Sequence, residues 1–159
     1  MSLPTWFTIP LVMIVLGVGC NRLLSAGGLR WFNRLQRPQW LTFERLIPLI
    51  WTIVFIGVGW SAVLVWNQTP DSLNRWLLLG YYLVLEVVTL SYTPIMCRLE
   101  SLRAGTLIGA TGFVLALLLA IAIQPRSLTA TLLLLPYLLW SPIGTYTTWA
   151  MIKLNPSEA

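Results

Sequence analysis

From Leu46 to Trp66 the chain runs for 21 residues without a charged side chain. A membrane-spanning α-helix needs about 20 mostly apolar residues. Four further stretches approach that length and character. Trp6 to about Leu24 carries no charge before Arg22, Trp76–Cys97 is interrupted only by Glu86, Ala104–Gln124 is uncharged, and Leu128–Ile152 is long enough to tilt. The runs are continuous, without the alternate-residue pattern of barrel strands. In hydrocarbon every backbone N–H and C=O must be satisfied internally, which leaves helices. The predicted fold class is therefore an all-α integral membrane protein, a five-transmembrane-helix bundle in one domain (1–159). The helices are expected at about 6–24, 46–66, 76–97, 104–124 and 128–152. Composition agrees: 57% of residues are hydrophobic and 9% charged, against roughly a quarter charged in soluble domains. The first run has no basic residue before it and Arg22 after it, so it reads as a mature helix and not a cleaved signal.

Five spans put the termini on opposite faces. One face receives Arg22, Arg30, Arg34, Arg37, Arg45, Arg98, Arg103 and Lys153, and the other only Arg75 and Arg126. The positive-inside bias then places the amino terminus outside and the carboxyl terminus in the cytoplasm. The net charge of +5 thus points to lipid headgroups and not to nucleic acid. The chain has no histidine, which removes the Ser-His-Asp arrangement and the commonest metal ligand. No metal site is expected, and no cofactor is required. Cys20 and Cys97 sit in or beside apolar runs and do not resemble a disulfide framework.

The connection 25–45 is the long one. Its segment "WFNRLQRPQW" holds three aromatics and two arginines, too aromatic to be disordered, so it is expected to fold against the bundle as a lid. Arg30, Arg34 and Arg37 read as anchors to anionic headgroups, with pairing to ligand carboxylates as the alternative.

The stretch "WFNRLQRPQWLTFERLIPLIWTIVFIGVGWSA" resembles the first-loop and second-helix signature of the TspO/translocator protein family. Trp31, Leu35, Pro38, Trp40, Trp51 and Gly59 match it directly, with close replacements at Phe32, Arg37, Ile50, Phe55 and Ser61. "PYLLWSPIGTYTTWAMIKLN" is similar to the family's fifth helix through Pro136, Tyr137, Leu138, Trp140 and Asn155, with Gly144 as the small residue. Departures are Thr42 and Phe43 for a proline pair, Thr148 for an asparagine, and Leu83, Val87 and Leu90 for Gln, Asn and Trp. The resemblance implies a bundle that is often a homodimer, with a pocket closed by the first loop. It implies tetrapyrrole ligands (porphyrin, haem or bilin) and a receptor, regulatory or transport role. A light-dependent porphyrin-degrading activity is the alternative, with Trp51 and Trp140 as reacting groups; a membrane transporter or structural subunit is the third reading. Without histidine, metal-free porphyrin or a bilin suits the chain better than haem. Six residues separate Tyr146 from Lys153, so the cholesterol-type pattern fails.

The residues argue for a flat ligand on their own terms. Trp51 and Phe55 share a helix face, as do Trp140, Gly144 and Thr148. Two aromatic faces with a gap at Gly144 would sandwich a ring. Trp6, Trp66, Trp76 and Trp149 lie near span ends and suit an interfacial belt, whereas Trp51 and Trp140 do not. Trp31, Phe32, Pro38 and Trp40 complete the expected pocket from the lid. Glu86, mid-span, is costly in lipid and should face protein or a cavity; it reads equally as a ligand contact and as an interhelical bond, on a stripe with Tyr82, Thr89 and Thr93. Gly105, Gly109, Gly112, Ala116 and Ala120 form a small-residue ladder, for packing or a dimer face.

Overall fold

The computed structural model describes residues 4–158, and among them all regular structure is helical. α1 (Thr5–Asn21) leads through a turn into α2 (Ala26–Arg34), bent from it by 82°. An irregular segment and a single 3-10 turn at Glu44–Leu46 lead into α3 (Ile47–Gln68). Then come α4 (Ser72–Leu99), α5 (Leu102–Ile123), the short α6 (Leu128–Leu132) and α7 (Leu135–Leu154). Four segments are long and apolar enough to cross a bilayer: Glu44–Gln68, Ser72–Leu99, Leu102–Ile123 and Leu128–Leu154. The bent pair α1 and α2 makes a fifth when counted together. α1 has 17 residues, at the lower limit for a span.

Local chemistry sets the ends. Asp71, Ser101 and Ser127 cap the N-termini of α4, α5 and α6 by accepting a backbone N–H each, and Ser25 does so for α2. Glu100 stops α4 in the left-handed conformation, φ 47°, and only Ser101 separates it from α5. The expected fifth span is broken at Leu133–Leu134. Pro136 sits in the first turn of α7, and a proline there cannot donate to the preceding turn. The Leu134 N–H bonds the Thr131 carbonyl instead, and Ser61 of α3 donates its hydroxyl to the Ala130 carbonyl at 2.7 Å. A neighbouring helix thus re-satisfies the freed backbone.

The two ends of the bundle differ. At one end α2 lies across the C-terminus of α4, so close that a Cβ on Gly28 would stand 2.8 Å from the Cys97 carbonyl oxygen. Trp31, Leu35, Met96, Cys97, Leu102 and Met151 form a small core there. At the other end Thr5 donates to Asn67 at 3.2 Å, and Trp66 meets Trp76 edge-on at 4.8 Å beside Arg75. The main core, with Val54, Val58, Leu85, Leu119 and Ile123, fills the half between that end and mid-bundle.

In lipid, helices associate by close packing and interhelical hydrogen bonds. α5 supplies the closeness. A Cβ on Gly105, Gly109 or Gly112 would lie 2.5–2.6 Å from Met96 Sδ, Thr145 Oγ1 or Tyr137 Oη. The ladder is therefore consumed inside the bundle against α4 and α7, which settles its role as packing. Gly57 of α3 faces backbone: its Cβ would be 2.5 Å from the Leu133 carbonyl oxygen. Gly57→Ala should lower stability by about 1–3 kcal/mol, as overpacking does. Gly80→Ala, with open space around its Cβ, should not. Thermal unfolding of the two variants in detergent checks this, and equal melting temperatures would contradict the close approach.

Candidate functional site

Between the small core under α2 and the main core lies a cavity of about 720 Å³. Ligand pockets typically measure about 300–1,000 Å³. α3 contributes Pro48, Trp51 and Phe55, one helical turn apart, and α7 contributes Tyr137, Trp140, Gly144, Thr148 and Met151 at three- and four-residue steps. α4 adds Thr89, Tyr92 and Thr93, and the lid adds Phe32, Arg37, Leu41 and Glu44. α1 closes the remaining side with Gly17, Val18, Cys20 and Asn21, and the turn after it adds Leu24. The lining residues that are exposed are Val18, Asn21, Glu44 and Pro48. They place the opening between the end of α1 and the start of α3.

The walls are mainly aromatic. Trp51 lies against Phe55 at 5.6 Å and meets Tyr137 edge-on at 6.3 Å, while Trp140 is held edge-on by Phe43 at 6.2 Å. A Cβ on Gly144 would meet nothing within 4 Å, so its missing side chain leaves space in the cavity. Hydroxyls tie α4 to α7 along the wall: Thr89 pairs with Tyr137 at 2.7 Å, and Tyr92 pairs with Thr148. The indole N–H of Trp140 is buried without an acceptor among the described residues. Nothing among the described residues groups three metal-ligating side chains.

Of the residues singled out from sequence, the fold brings Phe32, Trp51, Phe55, Trp140, Gly144 and Thr148 to the cavity. It places Trp31, Pro38, Trp40 and Glu86 elsewhere. Successive helical residues point about 100° apart. With Phe32 toward the cavity, Trp31 turns to the small core, 3% exposed, where its indole donates to Glu158 Oε2 at 2.7 Å. Pro38 is buried in the turn that leads to Leu41. Trp40 lies on the outer surface, 5.9 Å from Tyr146, over a shallow groove with Pro142 and Ile143. Glu86 is buried one turn before Leu90, which does line the cavity. It has neither a hydrogen bond nor an ion pair among the described residues. The expected stripe on α4 divides: Tyr82 pairs with Ser61 at 2.5 Å, while Thr89 and Thr93 reach the cavity. Arg30 and Arg34 are exposed away from it.

Sequence reasoning did not assign Tyr92, Tyr137 or Ser141 to the site, although Tyr137 stood among the matches to the fifth-helix motif, and it missed the whole contribution of α1. Tyr92 and Tyr137 carried a usable signal, being hydroxyls well inside apolar runs that need partners. α1 carried none, since apart from Asn21 the residues it turns to the cavity are no different from the rest of an apolar run. The clasp on the lid was also passed over. Asn155 Oδ1 accepts the Gln36 N–H at 2.8 Å and Nδ2 donates to the Gln36 carbonyl at 3.1 Å, pinning the lid to the end of α7.

A polytopic helical bundle whose first connection folds back over an aromatic cavity is the class of membrane protein described here. Its sequence relatives align with most of the chain. The TspO/MBR family profile matches residues 7–154, and the chain belongs to that family. It is 24% identical over 154 residues to protein CrtK of Rhodobacter capsulatus, covering 97% of this chain and 95% of that one. It is 27% identical over 128 residues to the tryptophan-rich protein TspO of Chlorobaculum tepidum (79% and 80% covered). The human translocator protein is 25% identical over 155 residues (92% and 90%). This chain is an integral, multi-pass membrane protein.

Proposed function

We propose that the protein binds a tetrapyrrole in this cavity, as a membrane receptor or carrier that regulates or moves such pigments. The observation that carries the reading is the pairing of Trp51 and Trp140 on α3 and α7 around space left by Gly144. A flat conjugated ring gains about 0.5–1.5 kcal/mol per aromatic contact beyond burial. The cavity offers no histidine, which favours metal-free porphyrin or a bilin over haem. The lid end faces the cytoplasm in this proposal, with α1 as the fifth span, because eight basic residues flank that end and two the other. Assembly as a homodimer belongs to the same proposal.

Titration with protoporphyrin IX in nanodiscs tests it through quenching of tryptophan fluorescence. Trp51→Ala and Trp140→Ala should each weaken binding about tenfold, the equivalent of about 1.4 kcal/mol, with helicity unchanged. Saturable binding with no effect of either substitution would move the site elsewhere. No saturable binding by protoporphyrin, haem or biliverdin would remove the reading. The tryptophan wall also favours a second reading, breakdown of bound porphyrin under light. Protein-dependent loss of the Soret band that disappears in Trp51→Phe or Trp140→Phe would select it.

A further inference from the structure

The charged side chains that line the cavity are Arg37 and Glu44. They stand at the opening, beside Asn21 and Pro48. Arg37 is held firmly. Its Nη1 donates to the carbonyls of Phe32 at 2.8 Å and Leu35 at 2.6 Å, and its guanidinium stacks on the Phe32 ring at 4.7 Å. Its Nε meets Glu44 Oε1 at 3.3 Å, the one ion pair among the described residues. A guanidinium carries five N–H groups, and these contacts engage three. The two on Nη2 have no acceptor among the described residues. The Nε–Nη2 edge, which suits a two-pronged grip on a carboxylate, is thus held by one oxygen only. That oxygen sits at the long end of the hydrogen-bond range on a half-exposed residue.

We propose that Arg37 is the recognition point for an ionised carboxylate on the ligand, which displaces Glu44 and takes the Nε–Nη2 edge in both prongs. The selected ligand is then an apolar body with an acid group at its rim. The body enters between Trp51 and Trp140, and the acid stays at the opening near the headgroup layer. Glu44 acts as an internal competitor that keeps Arg37 paired while the cavity is empty. This names the ligand chemistry of the tetrapyrrole reading and rests on it. The fixed guanidinium matters because its orientation is set before the ligand arrives, so little freedom is lost on binding.

The test compares protoporphyrin IX, which has two propionates, with its dimethyl ester, on the full chain in nanodiscs and corrected for partition into empty discs. The unaltered protein should bind the acid about tenfold tighter than the ester, the size of one charge-assisted pair. Glu44→Gln should tighten the acid several-fold relative to the ester. Arg37→Gln should bring the acid down to the ester's affinity. Arg37 also braces two lid carbonyls, so the Glu44→Gln result and the acid–ester comparison on the unaltered chain are read independently of whether this variant folds. Equal affinity for acid and ester on the unaltered protein overturns the assignment of Arg37 while leaving tetrapyrrole binding intact. Failure of both to bind overturns the two together.

Discussion

Gly144→Phe should abolish tetrapyrrole binding while leaving the bundle folded. The substitution separates site from scaffold because of where Gly144 lies. Its Cβ direction is open for at least 4 Å, whereas Gly57, Gly105, Gly109 and Gly112 all face atoms at 2.5–2.6 Å. A phenyl ring there enters the cavity between Trp140 and Thr148, on the face of α7 where the guest would lie. A loss of at least about 100-fold, or about 2.7 kcal/mol, is expected, because one wall of the sandwich becomes inaccessible. Stability should hold or rise slightly, since replacing a mid-helix glycine removes a cost of up to about 1 kcal/mol. Gly144→Ala, which adds one methyl group to open space, should bind nearly as the unaltered protein does. Fluorescence titration and thermal unfolding of the same samples give both readouts. Undiminished binding by Gly144→Phe would show that the guest sits outside this cavity.

Asn155→Ala should release the lid. Asn155 holds both backbone groups of Gln36 and also donates to the Met151 carbonyl at 2.9 Å, so one side chain ties the lid to the end of α7. Removing it leaves the N–H and carbonyl of Gln36 without their mate, while the Met151 carbonyl keeps the backbone N–H of residue 155 at 3.0 Å. Each lost partner costs up to about 1–3 kcal/mol, and less to the extent that water replaces it on the open side of Gln36. Hydrogen exchange should accelerate across residues 26–45 and remain unchanged in α5. Bound porphyrin should dissociate about ten- to a hundredfold faster, since residence depends on the closed lid. Asn155→Asp keeps the acceptor and loses both donated bonds, so its effect should fall between. The second attachment, from Trp31 to Glu158, remains in these variants, which makes release a loosening and not detachment. Unchanged protection in the lid would refute the clasp.

Much of this molecule was legible in its one-dimensional pattern. Charge-free runs of span length fixed the helical class, because a bilayer leaves an unpaired backbone no alternative. The aromatic, basic connection read correctly as a folded segment over the bundle. Trp51 and Trp140 stood out because both lie inside their spans, where an interfacial belt does not explain them. The lid was harder. Its tryptophans looked like pocket residues, yet Trp31 serves the small core and Trp40 the outer surface. Phe32 and Arg37 reach the cavity instead. Neighbouring positions of similar chemistry differ only in direction, and direction follows from how α2 crosses the end of α4 at Gly28.

The sequence by itself determined that the chain lives in lipid, roughly where its long apolar runs cross it, and which connection closes over them, though not that α2 forms within that connection or that the last run breaks at Leu133–Leu134. Only the tertiary structure decided which side of each helix faces inward. α1 and α3 are apolar around nearly their whole circumference, and in hydrocarbon an outward face is as apolar as an inward one. Burial therefore sets no rotation. Rotation is fixed by close approaches and by polar pairs between helices, such as Gly57 against Leu133, Ser61 with Ala130 and Thr89 with Tyr137.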